Sequence, residues 1–123
     1  MHKIYLDDVR SPKDSSWTVV RNYQEFVDKI SEIGDLSLID VISLDHDLGD
    51  TAMKEYFTNV SPNYTLDYNN IKEKTGLDCA KWLIDYCNKN NLPFPKFYVH
   101  SMNPIGKQNI ISAVNSFKKY LQK

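Results

Sequence analysis

Asp45, His46 and Asp47 stand side by side in the run Ser43-Leu44-Asp45-His46-Asp47-Leu48-Gly49. Two carboxylates around an imidazole are costly to place together unless a cation or a reactive phosphate answers them. Two further places set polar groups directly after an apolar segment. Asp7 and Asp8 follow Ile4 and Leu6, with Arg10 close behind, and His100 and Ser101 follow Val99. Asp7, Asp8 and Asp45 offer hard oxygen ligands suited to Mg²⁺ or Mn²⁺, with water filling the remaining positions. His46 and His100 have free pKa values near neutrality, which makes them the candidate acid and base, with Asp47 as a third catalytic candidate. Arg10 is suited to fork onto phosphate oxygens. Ser101, with Asn103 and the amides that open the following helix, is suited to hold another oxygen. Together these residues describe a phosphate-handling site. A zinc site built on the two histidines and Asp47 is the weaker alternative.

Groups so far apart in the chain meet only if the fold collects them. An open parallel sheet does this, because its ligands bind beyond the carboxyl ends of the strands. Lys3–Leu6, Trp17–Val20, Ile39–Ile42 and Lys96–Val99 read as short, β-prone, largely buried segments. Asn22, with Glu25 three residues on, opens a helix whose apolar face is Tyr23, Phe26, Ile30 and Ile33, and Gly34 ends it. Thr75-x-x-Asp78 opens the clearest helix, with Leu77, Ala80, Leu83, Ile84 and Cys87 as its core stripe. Asn103-Pro104 opens the last, striped by Ile110, Ala113, Val114, Phe117 and Leu121. Helices alternating with short buried strands predict an α/β sandwich around a mainly parallel sheet. Asp at one strand end merely caps a turn; the coincidence at three ends carries the reading.

Residues 50–74 interrupt this order. Thr51–Phe57 suits a short helix and Ser61-Pro62-Asn63 a break, while Tyr56, Phe57, Tyr64 and Tyr68 crowd the span. Either it is a lid whose aromatics stack on a base, or a surface excursion pinned by those aromatics.

A chain of 123 residues with 41% hydrophobic and 25% charged content is one domain of ordinary soluble composition. No apolar run approaches membrane length and no signal-peptide pattern opens the chain, so a cytoplasmic location is expected. Cys79 and Cys87 lack ligand or redox spacing and read as small buried hydrophobes. Residues 1–50 hold 5 Lys and Arg against 11 Asp and Glu, whereas residues 51–123 hold 10 against 5. That distribution leaves no broad basic footprint for duplex DNA, although a local basic rim would hold a phosphate.

The acidic pair after the first strand and the Asp after a later one resemble the receiver domains of two-component signalling. That likeness implies a carboxylate trio for Mg²⁺, Asp45 as phosphoryl acceptor and Ser101 as switch residue. The chain departs from it in two ways. No strand ending in the expected Lys follows Ser101, and a loop over Val9–Ser16 replaces the first helix. More specifically, five segments in order resemble the cyclic-phosphate processing receivers. They are Leu6-Asp7-Asp8-Val9-Arg10-x-Pro12, Trp17–Arg21, Ser43–Gly49, Thr75-Gly76-x-Asp78 with Trp82-Leu83, and Val99-His100-Ser101-x-Asn103-Pro104-x-Gly106. This resemblance implies a receiver/flavodoxin-like three-layer sandwich with about four strands and three main helices. It also implies a metal-assisted phosphoesterase acting on cyclic phosphates of nucleotides or RNA ends. The alternative is a receiver-derived binding or signalling module without hydrolytic activity. A haloacid-dehalogenase reading of Asp45-His46-Asp47 needs a downstream acidic pair, and the 22 residues after Ser101 contain no acid.

Overall fold

The computed structural model describes residues 1–122. Four parallel strands, β1 (His2–Leu6), β2 (Thr18–Val20), β3 (Ile39–Leu44) and β4 (Phe97–Val99), lie in the order β2-β1-β3-β4. In register, Leu6 pairs with Val20 and Leu44, and Leu44 pairs with Val99. All four strands therefore stop at one level, and the polar residues after them emerge together. β1 and β2 are joined by loop alone. The expected loop in place of a first helix is present, and no strand follows β4 among the described residues.

Alternation along the strands sends Ile4, Leu6, Ile42, Leu44 and Val99 into the main core. There they meet α1 (Tyr23–Ile33), α4 (Gly76–Lys89) and α5 (Pro104–Leu121). Phe26 and Ile30 of α1, Leu83 and Cys87 of α4, and Ile110 and Val114 of α5 are completely buried. Phe117 of α5 is buried too, whereas two positions of its predicted stripe are not: Ala113 is partly buried and Leu121, on the helix's last turn, is exposed. The caps are those the sequence predicts. Asn22 Oδ1 accepts the Glu25 amide at 2.9 Å, and Thr75 with Asp78 forms a reciprocal capping box. Burial pushes both cysteine thiols up, Cys87 to about 11, as expected of inert core residues. No helix among the described residues is long and apolar enough to cross a membrane.

Residues 50–74 are more regular than their sequence suggests. α2 (Asp50–Glu55) widens into a π-turn over Tyr56–Val60 and continues as α3 (Ser61–Asn63). The expected break at Ser61-Pro62-Asn63 is one turn late. Pro62 has no amide to give the preceding turn, and the widened π-turn just before it accommodates the ring, so the chain leaves the helix only at Tyr64, in the left-handed region (φ 54°). Two buttressing carboxylates hold the span. Glu55 accepts the Asp67 amide at 2.9 Å and the side-chain amides of Asn59 and Asn70 at 2.8 and 2.9 Å. Glu73 reaches back to the Ala52 amide at 2.7 Å and to the Thr51 hydroxyl.

The bond from the Asp67 amide, joined by those from Asn59 and Asn70, holds the Glu55 carboxyl below its ordinary 4.5. A carboxyl depressed by folding contributes stability above its unfolded value and loses it as pH falls through the folded one. Hydrogen-exchange protection of residues 50–74 is therefore expected to fall below about pH 4.5 while the sheet stays protected. Glu55→Gln should weaken that protection already at neutral pH and flatten its acid dependence.

Candidate functional site

Asp7, Asp8, Asp45, Asp47, Arg10 and Ser101 line one cleft of about 160 Å³ beyond the strand ends, closed on its other side by Val9, Met53, Tyr56 and Met102. The sequence-predicted residues thus fall into two groups, those in the cleft and those behind it. The six just named are in the cleft. His46, His100 and Asn103 stand behind it.

Asp7 is the hub. Its Oδ1 accepts the Val9 and Arg10 amides at 3.0 and 2.8 Å, and its Oδ2 accepts Arg10 Nε at 2.8 Å and His100 Nε2 at 3.1 Å. A carboxylate has about four acceptor sites, so protein donors occupy all of them. The amides of Arg10 and Val9, then His100 and the Arg10 charge, overcome burial and hold the Asp7 carboxyl below its usual range. Because a carboxylate only accepts, His100 Nε2 carries the proton, and Nδ1 receives the Ser43 hydroxyl at 2.7 Å. The ring also stacks on Tyr5, with centroids 4.3 Å apart and planes at 11°. Burial lowers the pKa of His100 despite its bond to Asp7. His100 is therefore a positioning group for Asp7, with neither ring nitrogen offered to the cleft.

His46 departs from the expected acid–base role for a similar reason. It is completely buried, and both of its nitrogens are engaged. Nδ1 donates to Asp47 Oδ1 at 2.6 Å, and Nε2 accepts the Tyr68 hydroxyl at 2.9 Å. Asn109 Nδ2 donates to that hydroxyl oxygen at 3.0 Å, which leaves the hydroxyl proton for His46. Asn103 caps α5 through the Gly106 amide at 2.9 Å and gives its Nδ2 to Asp47 Oδ1 at 3.2 Å, so it orients Asp47 and does not face a ligand. A short polar chain thus runs from Tyr68, through His46, to Asp47, whose carboxylate lines the cleft.

Asp45 is shifted the opposite way to Asp7. Burial first, and then the charge of Asp7, push its carboxyl up to about 6, against the pull of the His46 amide, Arg10 and the Ser101 hydroxyl. Arg10 Nη2 lies 3.6 Å from Asp45 Oδ2, beyond a good hydrogen bond. Asp8 is raised for the same two reasons, burial and Asp7. Asp7 and Asp45 outweigh burial on Arg10 and raise its pKa, fixing a cation at the rim.

These donors fit a hard divalent cation. One ligand atom each of Asp7, Asp45 and His100 lies within 4.8 Å of the others. Within that group His100 is turned to Asp7, and Asp7 is saturated. Asp45 and Asp8 are therefore the carboxylates whose raised pKa a cation would relieve. Asp8 lines the cleft wall outside the tight group.

Several residues of the site carry no chemical signature in the sequence. Arg21 Nη1 donates to the carbonyls of Arg10 and Asp7 at 2.6 and 3.1 Å, and Nη2 to the Ser11 hydroxyl at 2.8 Å, pinning the loop that lacks a helix. Ser43 precedes Asp45 by two on the same strand, and that spacing was the available clue. Tyr5 and Asn109 gave none, and Tyr68 stood out only as one of the aromatics of residues 50–74.

The family model for the cyclic-phosphate processing receiver domain matches residues 2–116. No curated protein and no solved structure matches the chain.

Proposed function

Since the chain belongs to the cyclic-phosphate processing receiver domain family, we propose that it is a metal-assisted phosphoesterase that opens a cyclic phosphodiester on a nucleotide or RNA end. The observation that carries this reading is the cleft itself, where Asp8, Asp45, Asp47, Arg10 and Ser101 converge at the ends of β1, β3 and β4. Mg²⁺ or Mn²⁺ would be held by Asp45 and Asp8, with Asp7 adjacent, and supplies Lewis acidity toward phosphate oxygens. Arg10, fixed by Asp7, forks onto the phosphate and absorbs charge in the transition state. Ser101 donates to a further oxygen. Asp47, oriented by His46 and Asn103, takes the proton of the attacking water at its cleft-facing carboxylate. Solvent in the open cleft protonates the leaving ribose oxygen.

The test is hydrolysis of 2′,3′-cyclic nucleotides, and of RNA with a cyclic end, in Mg²⁺, Mn²⁺ or EDTA. Metal-dependent opening that Asp47→Asn lowers on the order of 10²-fold or more supports the reading. A folded protein with no turnover in any metal overturns it.

One observation favours a second reading, a receiver-derived module that takes a phosphoryl group at Asp45. Asp45 sits at a strand end, deep in the cleft, with the Ser101 hydroxyl beside it. Against it, no strand follows β4 to present a Lys among the described residues, and Arg10 is the cation of the described cleft lining. An acid-stable, base-labile adduct at Asp45 after incubation with a small phosphodonor would favour this module.

A further inference from the structure

The cleft is polar on one side only. Its other wall is Val9, Met53, Tyr56 and Met102. Val9 is 78% exposed, Met102 67% and Met53 38%, although each is a large apolar side chain. Apolar side chains gathered in water around one charged cleft mark a surface that meets a ligand. Tyr56 is half-buried and braced edge-on by Phe57, with ring centroids 5.2 Å apart. The helix widens into its π-turn at Tyr56, the residue that meets the cleft, and such widened turns concentrate at functional sites.

The chemistry of this wall selects its partner. Thioethers and aromatic rings attract flat π-faces. Apart from the Tyr56 hydroxyl, the wall carries no side-chain hydrogen-bonding group to tell one base edge from another. The cleft of 160 Å³ has room for about five waters, which suits a phosphate with part of a ribose. A ring attached to that sugar lies along the wall rather than inside it.

We infer that Met53, Tyr56 and Met102 form a base shelf, and that the ligand is a nucleoside-borne cyclic phosphate accepted with little regard to which base it carries. This inference rests on the reading of the cleft as a cyclic-phosphate site and adds where the base lies and how little its identity counts. It also gives residues 50–63 a task, since Met53 and Tyr56 both come from there.

Affinity tests it independently of turnover. In Mg²⁺, the intact protein is titrated with the slowly hydrolysed 2′,3′-cyclic phosphorothioates of adenosine and uridine, and with the glycerol analogue, which lacks a ring. The two nucleosides should bind within about threefold of each other and about tenfold tighter than the glycerol compound. Met102→Ala and Tyr56→Ala should each remove part of that preference, weakening nucleoside binding about threefold, and leave glycerol binding unchanged. Tyr56→Ala loses packing on Phe57; Met102→Ala changes an exposed side chain and decides the matter if the other fails to fold.

Equal affinity for all three compounds, or nucleoside binding indifferent to both variants, overturns the shelf and leaves the esterase reading standing if turnover is seen. Ring-dependent, Met102-sensitive binding without turnover of any cyclic phosphate keeps the shelf and overturns the esterase. Binding of none of the three overturns both.

Discussion

Replacing Asp45 by Asn should cut turnover of a 2′,3′-cyclic nucleotide on the order of 10³-fold, the several kcal/mol that a metal-held phosphate site supplies. The same variant should be more stable than the parent when both are unfolded by urea in EDTA. Asp45 is buried and lies against the charge of Asp7, which together push its carboxyl up to about 6. A carboxyl raised by folding favours the folded state most at low pH, below its unfolded pKa, and that contribution is lost as pH rises through the folded value. Removing the charge at pH 7 should recover about 1–3 kcal/mol, as one pKa unit is worth about 1.4 kcal/mol. Opposite signs for activity and stability separate a functional carboxylate from a structural one. Asp40→Asn, on an exposed position of β3, is the control and should change neither. Loss of both activity and stability would instead make Asp45 part of the scaffold.

Gly76→Ala should be the most damaging single change to folding. A Cβ at Gly76 would lie 1.8 Å from the Asp45 carbonyl oxygen and 2.8 Å from its carbon, so the obstacle is backbone. The Gly76 amide donates to the His46 carbonyl at 2.8 Å, which ties the start of α4 to the end of β3 at this point. Relief requires one of the two elements to move, at about 3 kcal/mol or more, a large share of a domain's stability. Gly106→Ala meets the His46 ring at 2.3 Å. That ring is a side chain, yet it is buried and bonded at both nitrogens, so it has little room to yield. The expected order in urea is parent, then Gly106→Ala, then Gly76→Ala, read by Trp82 fluorescence. Wild-type stability for Gly76→Ala would mean that α4 is not seated as described.

The elements that obey local rules were legible in the sequence. β-branched runs marked the strands, and Asn22, Thr75 and Asn103 marked the helix starts because their side chains satisfy amides within three residues. The carboxylates and Arg10 were legible too, since the strand that carries each one ends just before it. Orientation was not. Whether His46 points into the cleft or away depends on Gly106 clearing space for its ring and on Tyr68 and Asn109 arriving from two distant segments. His100 is turned by Ser43 and Asp7, partners 57 and 93 residues away. The helix that runs on through Pro62 was not legible either, because the π-turn that accommodates the proline has no compositional mark. Glu55 and Glu73, which hold that span, look like ordinary surface acids in the sequence.

The hub at Asp7 has a consequence for how the molecule comes together. Its partners on the other strands, Asp45 and His100, are separated from it by long stretches of chain, and each is delivered only when β3 and β4 have paired in register. Non-local parallel pairing is the slow part of folding, since loop closure must precede any reward from contact. No partly folded intermediate that lacks either pairing contains a cleft. Any ion or phosphate bound there recognises the completed sheet alone, and it stabilises the folded state by an amount that grows with the ratio of its free concentration to its Kd. A chain that has not finished folding therefore has no such cleft to offer a ligand.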